Sequence, residues 1–514
     1  MDSHRGSPEA PASRIPGGAG RPCENDRMAS PTPSGSPSEH ADPRLPDGRR
    51  SLAAQSPAPA LSPLDGRYRR QSAPLTEHLS EAALNRNRVH VEVEWFIHLC
   101  EHRVLPGLEP LDAEQRAGLR SLVTDFDADA VAELAEIEAV TVHDVKAVEY
   151  YIGRRLKALG LGRLTPLVHF GCTSEDINNL AWAVGIRDAV EQVWLPAARD
   201  LVGQLLAMAE QTREIPMLSR THGQPATPTT LGKELAVLAF RLRRQLRRVA
   251  DQEILGKING ATGTYAAHVV AVPGADWQEV SRTFVEGLGL TWNPLTTQIE
   301  SHDWQAELYA GLAQFNRVLH NLCTDVWSYI SIGYFRQIPV EGATGSSTMP
   351  HKINPIRFEN AEANLELSTS LLDTLATTLS TSRWQRDLTD STTQRNIGTA
   401  FGHSLLALSN VAQGLAKLAV SEEVLAEDLE HNWEVLAEAI QMVMRAEAIA
   451  GAPGLDSPYE RLKELTRGHR VDQQRLREFV GSLGLPEDAA ARLAELTPAA
   501  YHGIAATLVD WARD

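Results

Sequence analysis

Cysteine is scarce in this 514-residue chain. The four present, Cys23, Cys100, Cys172 and Cys323, are widely scattered and form no CxxC pair. That spacing excludes a thiolate zinc site and a disulfide framework, and it fits a reduced, cytoplasmic setting. Long apolar runs are missing too. No stretch approaches the roughly 20 residues of a membrane span, and the N-terminus has no apolar signal core. Positive charge is in deficit, 49 Lys and Arg against 66 Asp and Glu, for a net charge of −17. A nucleic-acid backbone is therefore a poor main partner, while local Arg and Lys could still hold a small anion. The familiar signatures of covalent, metal and phosphate-loop chemistry are also lacking: there is no GxSxG, no HExxH, no Walker loop and no GxGxxG before a strand. No metal and no cofactor are expected.

What is present is 43% hydrophobic residues, enough for a large core and more than one domain. Residues 1–60 are dense in Pro, Ser, Gly and Ala, with almost no large apolar side chains. Burial cannot offset the ordering entropy of such a segment, so a disordered tail is predicted. From Leu61 on, apolar residues recur at helical spacing and strand signal is slight. Long amphipathic helices are predicted over 83–102, 193–212, 231–253, 306–335, 358–380 and 396–420, with two shorter ones between Asp112 and Glu138. The expected class is all-α. A 61–163 N-terminal helical domain is followed by a 164–415 central bundle and a small helical domain over 416–514. Helices with more than one apolar stripe must bury the second somewhere, and a symmetric oligomer does so economically.

Seven polar, turn-forming islands interrupt the helices. SPLDGRY (62–68) ends in Arg67 and Tyr68 and, by itself, reads as an ordinary Asp-Gly turn. In VTVHDVKAVEYY (140–151), Thr141 and Asp144 have capping-box spacing. His143 then falls in a first helical turn, either a surface histidine or part of an anion site. In HFGCTSEDINNLAWA (169–183), Thr173 or Ser174 would cap a helix beginning at Glu175, with Asp176 completing the Thr173 box. In MLSRTHGQPATPTTLGKE (217–234), His222 lies in a rigid break before a helix starting near Thr230. Histidine is the best-placed acid or base near neutral pH. EILGKINGATGTYAAH (253–268) is a Gly-rich break, followed by TTQIESHDW (296–304). The sixth island, EGATGSSTMPHKINP (341–355), is a loop carrying hydroxyls, an imidazole and an ammonium. In the seventh, SRWQRDLTDSTTQRN (382–396), Arg383, Arg386 and Arg395 stand near Ser391. These arginines form a solvated charged segment or a clamp for carboxylate or phosphate. Together the islands suggest acid–base work on an anionic substrate.

GSSTMPHKINP (345–355) resembles the signature loop of the fumarase/aspartase superfamily, GSSxMPxKxN. Its His351, with SPLDGRY, HDVKAVEY, CTSEDINN, SRTHGQPATP, EILGKINGA, NPLTTQIE, SRWQRDLTDST and HNWEVLAE, resembles the bacterial, enterobacterial-type adenylosuccinate lyase branch across residues 61–514. The resemblance implies a three-domain helical subunit whose long helices form a twenty-helix core in a homotetramer, with each active site drawn from three subunits. It implies release of fumarate from adenylosuccinate to give AMP, and from the succinylated aminoimidazole carboxamide ribotide. By this analogy Ser346 is the base and His222 the acid. Lys352, Asn354, Thr173 and Ser174 would hold the succinyl end. Arg67, Tyr68, Arg386, Ser391 and Arg395 would bind the nucleotide, Gln298 would position the substrate, and His143 and Asp144 would line the site. The branch often has Asn before the His-Asp pair, where this chain has Val142. A sister lyase acting on argininosuccinate, fumarate or aspartate, and a non-catalytic helical scaffold, are the competing expectations.

Overall fold

A computed structural model of the chain describes residues 60–339, 349, 352–455, 457–466 and 471–513. The predicted 1–60 tail, Ala60 excepted, and Ser346 lie outside the described residues. The long helices form where apolar periodicity is strongest. Asp303–Ser331 buries Leu308, Leu312, Phe315, Leu319, Leu322 and Val326, a stripe at i, i+4 and i+7 spacing. Five helices close a ring: Leu195–Gln211 packs on Leu231–Ala250, which packs on Asp303–Ser331. That helix packs on Ile356–Leu379, which meets Ile397–Leu415, and the last returns to Leu195–Gln211. Edge-on contact of Trp194 with Phe315 at 4.9 Å and a Trp194 Nε1–H bond to Ser404 Oγ at 2.9 Å tie three of these elements together.

Helix Ser174–Ala189 continues through a π-helical turn, Val190–Trp194, into Leu195–Gln211. Its first half leaves the ring and packs on Glu81–Glu101. Helices Ala113–Thr124, Ala128–Thr141 and Asp144–Ala158 complete this region, with Asp112 and Asp127 supplying N-cap carboxylates. Trp433, Leu436, Ile440, Met444, Leu476, Val480 and Leu493 form a second buried cluster with its own short helices.

The few strands are short and form three two-stranded pairs among the described residues. One changes how the fourth island is understood. Residues 216–230 are not an irregular break but an antiparallel hairpin, Pro216–Thr221 with Gln224–Thr230. Thr221 pairs with Gln224, so His222 and Gly223 are the whole loop, at φ +53° and +72°. Positive φ at both central residues is what a type I′ hairpin requires. Gly meets that freely; His222 is held there at a steric cost. Next to its tip the hairpin is anchored by Arg220, which donates to Tyr334 Oη at 2.7 Å and pairs with Asp428 at 2.6 Å.

Candidate active site

Most of the predicted binding residues meet at the end of the bundle where helix Asp303–Ser331 begins. His143 is the N-cap of Asp144–Ala158, its Nδ1 accepting from Lys146 N–H at 3.2 Å. The expected Thr141 cap is therefore corrected: Thr141 is the last residue of the preceding helix, and left-handed Val142 (φ +50°) reverses the chain between them. His143 Nε2 lies 3.5 Å from Ser174 Oγ. Asp144 pairs with Arg88 at 2.7 Å and with Arg395 at 3.4 Å. Burial alone would raise the Asp144 carboxyl, but the Arg88 charge, the Val145 N–H and Arg395 outweigh it and hold it below its ordinary range. Arg395 also grips Glu81 with one nitrogen at 2.7 and 2.8 Å.

From Arg88 the network runs on. Arg88 Nε–H donates to Asn178 Oδ1 at 2.9 Å, and Asn178 Nδ2–H donates to Glu175 Oε1 at 2.8 Å. Glu175 Oε1 takes Arg386 at 2.8 Å, and Arg386 lies 3.9 Å from Asp390, whose backbone neighbour Ser391 donates to it at 2.6 Å. Asp390 lies 3.5 Å from Nε2 of His302, a buried residue at φ +61° that precedes helix Asp303–Ser331. Thus the second, third and seventh islands, whose joined residues stand 31 to 251 positions apart in sequence, share one polar network. Arg88, Glu175, Asp390 and His302 were missed from sequence. Arg88 and Glu175 leave a faint signal, charged residues on otherwise apolar helix faces, which now proves to be pairing.

The hydroxyl pair is set by the turn before it. The helix starts at Ser174, one residue earlier than expected, with Thr173 as N-cap. Thr173 N–H donates to Asp176 Oδ2 at 2.8 Å. Just upstream, Gly171 at φ +74° lies so near His268 that a Cβ would be 2.4 Å from the ring, so no side chain fits. His169 closes the turn on the buried Glu92, with Nδ1 to Oε1 at 2.5 Å and backbone N–H to Oε2 at 3.1 Å. Burial depresses His169, but the Glu92 bond and charge outweigh it, so its pKa stands above 6.5. The folded state thus binds this proton more tightly than the unfolded chain. That contribution is complete below pH 6.5 and is lost as pH rises through the folded value. The gap in urea midpoint between wild type and Glu92→Gln should accordingly be widest below pH 6.5 and narrow towards pH 9. A gap that grows with pH would reverse this assignment.

Gln298 donates to Ala261 O at 3.0 Å, beside the same turn. The other candidates lie elsewhere. Tyr68 Oη accepts from Asn360 in the first turns of Ile356–Leu379 at 3.3 Å, with the exposed Arg67 guanidinium 5.8 Å from its ring. Exposed Lys352 donates its backbone N–H to Met349 O at 3.0 Å, and Asn354 leads into the same helix. His222 is exposed at its hairpin tip, and among the described residues no hydrogen bond or ion pair joins it to the network. No group of three or more His, Cys, Asp or Glu among the described residues could hold a metal ion. No described helix is long and apolar enough to cross a membrane.

Residues 66–367 match the family described as Lyase, and residues 382–502 match the one described as Adenylosuccinate lyase C-terminal. The chain is 48% identical over 452 residues to adenylosuccinate lyase of Escherichia coli K12, covering 88% of this chain and 98% of that one. It is 46% identical to the enzymes of Haemophilus influenzae and Vibrio cholerae, with the same coverage of 88% and 98%. Among solved structures, a fumarate lyase from Mesorhizobium sp. BNC1 superposes with a TM-score of 0.68 at 21% identity, covering 86% of this chain and 97% of that one. The 3-carboxy-cis,cis-muconate lactonizing enzyme of Pseudomonas putida gives 0.66 at 22%, covering 86% and 96%. These two share the fold. The length and identity of the sequence matches carry the rest: this chain belongs to the adenylosuccinate lyase family.

Proposed function

We propose that the chain is a cytoplasmic, homotetrameric adenylosuccinate lyase that splits adenylosuccinate into AMP and fumarate, and the succinylated aminoimidazole carboxamide ribotide into its carboxamide ribotide and fumarate. The observation that carries this is 48% identity along almost the whole of a curated adenylosuccinate lyase. The scattered islands are consistent with it, since residues from three of them converge on one polar network.

In this reading the reaction is an acid–base β-elimination. A proton leaves the carbon beside a succinyl carboxylate and goes to Ser346, while His222 protonates the departing nitrogen. Lys352, Asn354, Thr173 and Ser174 hold the succinyl end, where negative charge gathers in the transition state. Arg386, Ser391 and Arg395, with Arg67 and Tyr68, take the nucleotide, chiefly its phosphate. Gln298, His143 and Asp144 shape the site. An oligomer is supported by helix Leu231–Ala250, which buries Leu235, Leu242 and Leu246 inside its chain yet leaves Val237 and Phe240 about 40% exposed on a second stripe. Domain limits of 61–163, 164–415 and 416–514 fit the separate buried cluster after Trp433.

The test is incubation of the purified protein with adenylosuccinate, argininosuccinate, malate and aspartate in turn, with fumarate followed by ultraviolet absorbance. Release from adenylosuccinate alone is expected. Release from another substrate instead points to a sister lyase, and release from none to a scaffold. A second expectation concerns residues 1–58, which lie before the family match beginning at residue 66. Their deletion should leave activity and melting temperature nearly unchanged. A marked loss of either would give that segment a role in the body of the enzyme.

A further inference from the structure

Beneath the Thr173–Ser174 turn lies an ion pair that the proposed chemistry does not use. Asp176 and Lys257 are both wholly buried, with Nζ 2.8 Å from Oδ1. Removing two charges from water is costly, and their attraction alone seldom repays it. The carboxylate here has further donors. Oδ1 also accepts from Asn259 N–H at 2.9 Å, while Oδ2 accepts from Thr173 N–H at 2.8 Å and Gly260 N–H at 3.1 Å. One buried carboxylate therefore clasps two chain segments. The first is the N-cap that presents Thr173 and Ser174. The second is the 257–261 segment that follows strand Leu255–Gly256, whose Ala261 carbonyl receives Gln298. Lys257 neutralises the clasp, and its backbone is fixed separately by Asn179, through Lys257 N–H to Oδ1 at 2.9 Å and Nδ2–H to Lys257 O at 3.0 Å.

We infer that Asp176, neutralised by Lys257, is a positioning residue that sets the spacing between the Thr173–Ser174 turn and Gln298, and so tunes recognition of the succinyl end of the substrate. The inference rests on the proposed lyase reading, in which that turn faces a carboxylate. Asp176 touches no substrate in this account. It acts by aiming the turn's N–H and hydroxyl donors, which a carboxylate can use only if they converge. A plain stabilising role would loosen both ends of the site together; a positioning role loosens one.

The experiment uses the full-length chain, with fumarate and AMP as separate probes titrated by NMR. Asp176→Asn should weaken fumarate by at least about tenfold, as expected for losing charge-assisted hydrogen bonds, and leave AMP within about twofold. Should that variant fail to fold, Asp176→Asn/Lys257→Met removes the unpaired buried ammonium. It should recover melting temperature without recovering fumarate affinity. Asn179→Leu, which frees the Lys257 backbone and the Asp176 carbonyl but removes no hydrogen bond to the Asp176 carboxylate, should lower melting temperature without this selectivity. Equal weakening of both probes, no weakening of either, or the same selective loss in Asn179→Leu would overturn the assignment. A wild-type protein that releases no fumarate from adenylosuccinate would instead sink the lyase reading itself.

Discussion

Ser346→Ala should bind adenylosuccinate and turn it over at least about 100-fold more slowly, the low end for losing a proton-transfer group. The substitution removes a single oxygen atom, in a loop whose sequence is rich in glycine, serine and threonine. A serine hydroxyl is a poor base in water. It becomes a useful one only where water is excluded and donors stabilise the alkoxide, work that neighbouring N–H groups and Lys352 could do in a closed loop. The loop has the sequence for closure: Gly342, Gly345 and the hydroxyl residues Thr344, Ser346, Ser347 and Thr348 offer no helix-forming run. It joins strand Phe335–Gln337 to helix Ile356–Leu379, both firmly placed, the strand by pairing with Leu418–Val420. Single-turnover kinetics at saturating substrate, with binding measured separately, distinguish the outcomes. Near-normal turnover would remove Ser346 as the base. Lost binding with unchanged turnover of the bound fraction would make it a substrate ligand.

How much of this was legible beforehand differs by level. The long helices were, because 3.6-residue apolar periodicity survives over 20 or more residues and leaves few alternatives. Asp303–Ser331 was expected over 306–335, and Leu231–Ala250 over 231–253. Caps were harder. Thr141 and Asp144 satisfied the spacing of a capping box, but Val142 in the left-handed region breaks the chain there and gives the cap to His143. The hairpin around His222 was hidden by its own residues. Pro225 and Pro228 argue against strand, yet each can sit on an edge where no N–H is needed. The network was least visible, because pairing partners such as Asp144 and Arg395 stand 251 positions apart. Sequence displays the charges; only the fold displays which ones meet.

Mixing two disabled proteins should restore activity. His222→Ala removes the proposed acid, and Arg395→Ala removes a proposed phosphate ligand, exposed enough that folding should survive. Each alone should be poorly active when substrate is well below KM, the arginine variant by about 10–100-fold for a lost charge-assisted pair. Within one chain these residues stand at opposite ends of the bundle. Helical backbone runs from Ser174, beside the Arg395 network, to Gln211, five residues before the hairpin, which is roughly 57 Å at 1.5 Å per residue. Helix Asp303–Ser331 repeats the measurement. Its start adjoins His302 and Asp390, and just past its end Tyr334 holds Arg220 of the hairpin, roughly 44 Å away by the same rise. A single substrate reaching both His222 and Arg395 must then take them from different chains. In a closed symmetric assembly mixed one to one, each position is native in half the chains, so about a quarter of sites should hold both native residues. The mixture is prepared by denaturation and renaturation, and subunit exchange is confirmed by native mass spectrometry. Recovery towards a quarter of wild-type activity is the expected result. Confirmed exchange with no recovery would mean that each site is built from one chain, and that His222 does not act on the substrate that Arg395 holds.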